Sequence, residues 1–485
     1  MNLKQKTISG LIWSFIDNIA SLGISFIIGV ILARILSPKD FGLIGMLSIF
    51  IAISQSFIES GFRQSLIRKQ DCTEADYSTV LYFSIAVSLL FYSILYVCAQ
   101  SISMFFHEPI LKVLIRVLGL GLIINSLSII QITLLTKRID FKLQAKISVI
   151  SSTLSGIISV YLAYTGWGVW SLVVLMLVKY TINLLLFWFW SSWKPIWIFS
   201  LKSLNELFSF GSKLLLSGLI DTIYKNVYYI IIGKYFSALE LGYYTRADQF
   251  QTLPSSNIQS IIGRVSYPVL LTIQDDIPRL REAYKKIIRS TMLITFVLMF
   301  GMAAVARPMI YTLIGEKWQA SIIYLQMLCF VGMFYPLHAL NLNMLEVQGR
   351  SDLFLRLEII KKILAVPIII IGIIWGIKTM ILGMMVNTII AYYLNSFWSG
   401  RFIGYPFHTQ IKDILPSFLL AVTMSSIVYI EGLIIPLPMA YLLIIQLLTG
   451  AILTFGLCEI FHFNDYLYIK EIVRNNFLKT KTDDR

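Results

Sequence analysis

The sequence predicts an all-α integral membrane protein of about fourteen transmembrane helices, and three observations carry that prediction. The first is composition: 57% of the 485 residues are hydrophobic, 14% are charged, and the mean hydropathy is +0.77. A soluble domain of that make-up would have to expose very large apolar patches. The second is the recurrence of apolar stretches of about 20 residues, the length at which a helix rising 1.5 Å per residue covers roughly 30 Å of hydrocarbon. The third is an internal repeat that sets an aspartate at matching positions of two spans.

Taken in order, the expected spans are 9–34, 41–60, 79–104, 110–135, 147–165, 168–190, 207–235, 241–271, 288–313, 320–345, 357–376, 379–400, 414–432 and 438–462. With a cytosolic N-terminus, about 29 of the 40 Lys and Arg residues fall on the cytosolic side, among them Lys137, Arg138, Lys142, Lys146, Arg279 and Arg281. About nine fall outside. A single miscounted helix would invert every later loop, so this asymmetry supports count and orientation together. It also accounts for most of the net charge of +14, which is topology rather than nucleic-acid affinity, since no soluble basic helix with stacking aromatics exists.

Lys4 and Lys6 precede an apolar run that continues to Ile35 with no small-residue cleavage site, so the expectation is an uncleaved first span. Cys72, Cys98, Cys329 and Cys458 show no paired spacing and read as free thiols. His107, His338, His408 and His462 form no metal or triad pattern. The Trp188, Trp190, Trp193 and Trp197 cluster reads as an interfacial belt. The longest polar stretches are 274–289, expected as an amphipathic cytosolic helix, and the tail 464–485.

The repeat runs from Ser14 to Gly42 and again from Ser217 to Gly242. Ser14, Asp17, Ile27-Ile28-Gly29, Ser37 and Asp40-Phe41-Gly42 match Ser217, Asp221, Ile231-Ile232-Gly233, Ser237 and Glu240-Leu241-Gly242, with one gap of about four residues. A doubled membrane chain with buried charge at equivalent positions is a common build of alternating-access transporters.

An ionised group at mid-bilayer costs about 2.5–3.5 kcal/mol on insertion scales, so each one retained needs a partner, water or a function. On the first span Ser14, Asp17, Asn18, Ser21 and Ser25 form one polar stripe, expected to face the interior. On the seventh, Asp221 and Lys225 are spaced as an i,i+4 ion pair. Two readings stand there: a self-neutralising pair, or charge serving a cavity. Lys179, mid-way along the sixth span, has no carboxylate one turn away and needs a partner elsewhere. The eighth span holds Thr245, Arg246, Asp248, Gln249, Gln251, Thr252, Asn257, Gln259 and Arg264 around Pro254. It either packs against protein all round or lines water, with Pro254 the expected kink site freeing backbone carbonyls.

The chain resembles the polysaccharide exporters of the MOP superfamily, specifically the Wzx-like flippases of lipopolysaccharide, colanic acid and teichuronic acid assembly. The likeness rests on Gly10-Leu11-Ile12-Trp13-Ser14-Phe15, Leu32-Ala33-Arg34-Ile35-Leu36-Ser37-Pro38-Lys39-Asp40-Phe41-Gly42, Ser60-Gly61-Phe62-Arg63-Gln64-Ser65-Leu66-Ile67 and Arg138-Ile139-Asp140-Phe141, followed by Gly166-Trp167-Gly168-Val169-Trp170-Ser171, Leu241-Gly242-Tyr243-Tyr244-Thr245-Arg246-Ala247 and Leu313-Ile314-Gly315-Glu316-Lys317-Trp318. These cover roughly the first two-thirds of the chain, in order. The resemblance implies two pseudo-symmetric six-helix lobes in a MATE-like V, at 1–200 and 201–405, with two additional helices and a cytosolic tail at 406–485. It also implies transfer of undecaprenyl-diphosphate-linked oligosaccharide across a bacterial cytoplasmic membrane, alongside polymerase and other assembly proteins. One departure is Arg63 where the motif has glycine; it is either a phosphate contact or a positive-inside charge.

Residue reading and resemblance meet at a cavity. Lys179, Lys225, Arg246 and Arg264 would offset the desolvation of a lipid diphosphate, and Gln249 and Asn257 would hydrogen-bond sugar. Asp17, Asp221 and Asp248 are the ion-coupling candidates, for Na⁺ or H⁺, with no other cofactor and no metal expected. Against this stand a MATE-type multidrug exporter, which would favour a carboxylate-rich cavity, and a membrane polymerase or glycosyltransferase, which would carry a large external domain. A structural scaffold would leave Lys179 unexplained.

Overall fold

The structure is a computed structural model that describes residues 3–59, 61–463, 465–467 and 470–471, without the side chains at 3–12, 14–16, 18, 264–265 and 351. Every regular element among the described residues is helical. The chain divides into two compact units, Met1–Thr245 and Arg246–Arg485.

The first unit holds α1 (Leu3–Ile35), α2 (Pro38–Glu59), α3 (Phe62–Arg68), α4 (Glu74–Phe106), α5 (Leu111–Ser126), α6 (Ile129–Lys137), α7 (Phe141–Tyr164), α8 (Val169–Trp190), α9 (Leu201–Tyr235) and the start of α10 (Ala238–Leu271). Local chemistry sets many starts. Thr73 and Asp76 exchange bonds as a capping box before α4, and the Asp140 carboxylate accepts from Leu143 N at the head of α7. α1 packs along α7, α7 along α8, α5 between α4 and α8, and α9 along α2. Lys69, at the end of α3, reaches Asp76 of α4 at 3.2 Å and Glu206 of α9 at 3.1 Å. Burial pulls the Lys69 ammonium down, but Glu206 and Asp76 outweigh it and hold its pKa above the usual value.

The second unit continues α10 and adds α11 (Ile277–Ala304), α12 (Ala306–Leu313), a short 3₁₀ turn at Glu316–Trp318, α13 (Ser321–Gly332), α14 (Tyr335–Val347), α15 (Ser351–Trp375), α16 (Ile377–Ile403), α17 (Phe407–Ile434) and α18 (Met439–Ile460). α11 packs on α17, α13 and α14 on α16, α15 on α16, and α18 on α17 and α12.

Ten helices among the described residues are long and apolar enough to cross a membrane. α9, α10 and α15 are not among them, although they run 35, 34 and 25 residues, and α1 qualifies only as the shorter run Ile19–Ile35. Three expected spans carry an interruption, and two of them, Leu111–Lys137 and Ser321–Val347, still count as single crossings among the ten. The stretch 110–135 divides into α5 and α6 beside Ser126, whose hydroxyl bonds back to Ile123 O. The stretch 288–313 divides at Val305 just before Pro308, and 320–345 divides before Pro336, which opens α14. The separate amphipathic helix expected at 274–289 is instead the first turns of α11, with Leu280, Tyr284 and Ile288 buried, since Asp276 caps a helix that runs on unbroken to Ala304.

Exposed faces fall into two kinds. On α8 and α18 they are apolar, as at Leu185, Phe189, Ile444, Leu448 and Ile452, which is what hydrocarbon requires. On α9 and α10 they are mixed: Leu216, Ile220 and Ile261 are exposed, and so are Lys213, Ser217, Asp221, Lys225, Gln249, Ser256, Gln259 and Ser260.

Candidate functional site

Asp17 anchors a polar contact between α1 and α7. Ser21, one turn on, donates to Asp17 Oδ1 at 3.0 Å, and its hydroxyl lies 2.8 Å from that of Ser148 on α7. The expected stripe therefore faces protein at Ser21, while Ser25 is exposed; the side chains of Ser14 and Asn18 lie outside the described residues. Lys179 of α8 is half-buried, and Asp17 is the carboxylate whose charge acts on it. Among the described residues Lys179 forms no salt bridge. The carboxylate whose field reaches Lys179 thus lies on the first span, without a direct ion pair between them among the described residues.

On α9 the polar face is longer than its sequence landmarks. Lys213, Ser217, Asp221 and Lys225 recur every fourth residue and all are exposed, a stripe that winds slowly round the helix. Lys213 was legible by the same spacing and is an addition to the expected set. The i,i+4 ion pair does not form: among the described residues Lys225 makes no ion pair. The opposite face is held to α2 by Ser48, which donates to Asn226 Oδ1 at 3.2 Å, and by Ser56, 3.2 Å from the hydroxyl of Thr222. Those four residues carried no signal in one sequence, because serine and threonine are common in membrane helices and only contact reveals the pairing.

The second half of the repeat motif is a pair of helix starts. Ser37 and Asp40 form a reciprocal box, with Ser37 N donating to Asp40 Oδ2 at 2.9 Å and Asp40 N to Ser37 Oγ at 3.3 Å. Ser237 Oγ accepts from Glu240 N at 3.1 Å in the same way. The two starts touch through Gly42 and Gly242, each against the other helix's backbone.

α10 stays helical through Pro254 and Pro268. Arg246 is only 7% exposed; its Nη1 donates to Gln249 Oε1 at 2.6 Å and its guanidinium stands 5.8 Å from the ring of Trp318, itself fully buried. Thr252 donates to Asp248 Oδ1 at 3.4 Å. Asn257 donates to Leu253 O at 2.7 Å, one turn back, so its amide nitrogen is engaged with the backbone while its oxygen is left to accept. Gln251 and Ser255 are buried, and Gln251 Nε2 donates to Ser255 Oγ at 2.9 Å. Gln249, Ser256, Gln259 and Ser260 are exposed. The two readings of this helix thus each describe one face. The Arg264 side chain lies outside the described residues.

Arg63 donates to Thr136 Oγ1 at 3.4 Å. No group of three His, Cys, Asp or Glu among the described residues could hold a metal ion. The four cysteines are free thiols.

A polytopic helical protein whose long polar helices keep charge and amide groups exposed belongs to the class of membrane transporters, and the comparisons agree. A family model described as polysaccharide biosynthesis protein matches residues 31–323, and the chain belongs to that family. It is 26% identical over 354 residues to the teichuronic acid biosynthesis protein TuaB of Bacillus subtilis (strain 168), covering 73% of each chain. It is 25% identical over 443 residues to the lipopolysaccharide biosynthesis protein WzxC of Escherichia coli (strain K12), covering 88% of this chain and 89% of that one. Among solved structures it matches the lipid II flippase MurJ in an inward closed conformation, with TM-score 0.75 and 16% identity over 94% of this chain and 99% of that one. The fold is that of MOP-superfamily transporters, and the family is one of transporters rather than enzymes.

Proposed function

We propose that this protein flips an undecaprenyl-diphosphate-linked oligosaccharide, the repeat unit of an O-antigen, capsule or exopolysaccharide, across the bacterial cytoplasmic membrane. The observation that carries the reading is the row of exposed polar residues within the long helices α9 and α10, Lys213, Ser217, Asp221 and Lys225 on one and Gln249, Ser256, Gln259 and Ser260 on the other. Such a row is stable at membrane depth only beside water or a polar ligand. A lipid diphosphate is the ligand whose charge calls for Lys179, Lys225, Arg246 and Arg264, and its sugars call for amides such as Gln249 and Asn257.

In this reading α1, α9, α10 and α15 complete fourteen spans with the ten apolar helices, arranged as lobes at 1–200 and 201–405 with two further helices and a tail at 406–485. Both termini are cytosolic. The head group binds while the prenyl tail stays in lipid, and the site is exposed alternately to the two sides. Neutralising Asp17, Asp221 or Asp248 by Na⁺ or H⁺ changes which arrangement is favoured, since an ion shifts an equilibrium by its differential affinity for the two states. Polymerase and other assembly proteins would act on the delivered glycan.

Leaflet transfer of a fluorescent undecaprenyl-diphosphate oligosaccharide in liposomes tests this, comparing wild type with Lys179→Ala and Lys225→Ala. Transfer lost in both variants supports a cationic diphosphate site. No transfer of the confirmed native glycan by wild type overturns the reading in favour of drug export or polymerisation.

A further inference from the structure

The two C-terminal helices carry a polar contact that the transport residues do not use. Val428, Glu431 and Gly432 share one face of α17, and Gln446, Thr449 and Gly450 share one face of α18, at spacings of three and four. Thr449 Oγ1 donates to Glu431 Oε1 at 3.1 Å, and Gln446 Nε2 donates to Val428 O at 2.7 Å. A carbonyl only accepts, so that bond fixes the amide with its nitrogen toward Val428 and its oxygen turned away.

Two buried oxygens remain, Glu431 Oε2 and Gln446 Oε1, and neither has a hydrogen-bond partner among the described residues. Gln446 is 1% exposed. Both atoms are acceptors and cannot satisfy each other, and Thr449 has already donated its single proton. Glu431 also lies three residues before the end of α17 at Ile434, where unbonded last-turn carbonyls gather the negative end of the helix dipole. Among the described residues no lysine, arginine or histidine forms an ion pair with it. Gly432 permits the arrangement: a methyl group there would come 2.4 Å from Gln446 Nε2.

We propose that Glu431, Gln446 and Thr449 hold a hard monovalent cation of the alkali class, which clamps α17 to α18. An all-oxygen set without nitrogen or sulfur disfavours transition metals, and a single carboxylate gives less charge than calcium sites gather. The site uses none of Asp17, Asp221 and Asp248, and its test reads binding rather than transport.

The test is thermal unfolding of the purified full-length protein in detergent, followed by tryptophan fluorescence, with NaCl exchanged for choline chloride at constant ionic strength. With Asp17→Asn, Asp221→Asn and Asp248→Asn introduced together as the reference background, so that sodium at those carboxylates does not contribute, the midpoint should rise saturably with sodium, by about 2 °C or more. It should not rise when Glu431→Gln is added to that background, a change that keeps the size of the side chain and removes its charge. Gln446→Met serves if that variant cannot be purified. A flat response of the reference background overturns the proposal, as does a sodium-dependent rise that survives Glu431→Gln. A rise produced by acidification alone, with no response to sodium, also overturns it, because a proton then bridges the two oxygens.

Discussion

Gly42 and Gly242 each press against the other's helix start: a methyl group on Gly42 would fall 1.6 Å from Ala238 O, and one on Gly242 would fall 1.9 Å from Pro38 O. The contact is reciprocal, glycine 42 on residue 238 and glycine 242 on residue 38, which is the pattern of a local two-fold axis between repeats. The repeated Ser-x-x-Asp/Glu boxes start both helices, and the glycine two residues after each acid lets the backbones meet. Gly45 extends the contact, with Thr245 Cγ2 3.1 Å from where its Cβ would stand.

Gly42→Ala and Gly242→Ala should each separate the two starts at a cost of roughly 1–3 kcal/mol, because the obstacle is backbone and cannot swing aside. In a two-state transporter that favours whichever arrangement lacks this contact. Ser37→Cys should then react faster with a membrane-impermeant maleimide in the Gly242→Ala background than alone; equal rates would mean the contact does not open.

Cysteines placed on the polar faces of α9 and α10 should differ from those on α18. In a background without the native thiols, Ser217→Cys, Ser256→Cys and Ser260→Cys should be modified by a charged methanethiosulfonate reagent, and Leu448→Cys and Ile452→Cys should resist it. Uniform resistance would show that the exposed serines face lipid or closed protein.

Asp17 and Lys179 should behave as a coupled pair. Lys179→Met and Asp17→Asn should each slow transfer, and a double-mutant cycle on the rates should give an interaction of about 0.5–3 kcal/mol. Additive effects would mean that Asp17 acts through Ser21 and Ser148 alone.

Arg246→Lys should reduce transfer by roughly tenfold while leaving the unfolding midpoint near that of wild type, because an ammonium keeps the charge but not the guanidinium that stands 5.8 Å from the Trp318 ring or the fork that reaches Gln249. Trp318→Ala should instead destabilise the protein, by about 3–5 kcal/mol, since its ring is fully buried. Thermal unfolding beside the transfer assay separates the two effects.

Much of the fold was legible because hydrocarbon imposes a fixed length and polarity on each crossing. That is why most expected spans coincide with single helices and why α10, the least apolar of the long helices, stood out. The breaks at Val305 and before Pro336 were less legible: a run of apolar residues hides a two-residue interruption, and proline opens one helix as readily as it bends another. At the site, Asp17, Lys179 and Lys225 were visible as charges out of place, yet which carboxylate served which ammonium was not. Spacing favoured Asp221 with Lys225, and Lys225 instead makes no ion pair among the described residues, because i,i+4 geometry permits a pair without requiring one.

The sequence by itself determined that the chain lives in a membrane, that its residues repeat around two acid-glycine helix starts, and that charge is retained where lipid would exclude it. These are local properties, set by composition and period. The tertiary structure alone decided that the repeats meet at Gly42 and Gly242, that Ser48 and Ser56 hold α9 to α2, that Ser21 links Asp17 of α1 to Ser148 of α7, and that Glu431 and Gln446 leave two oxygens unmatched. Each of these depends on which faces of separate helices come together, and small residues and lone acceptors acquire meaning only from the atom placed opposite them.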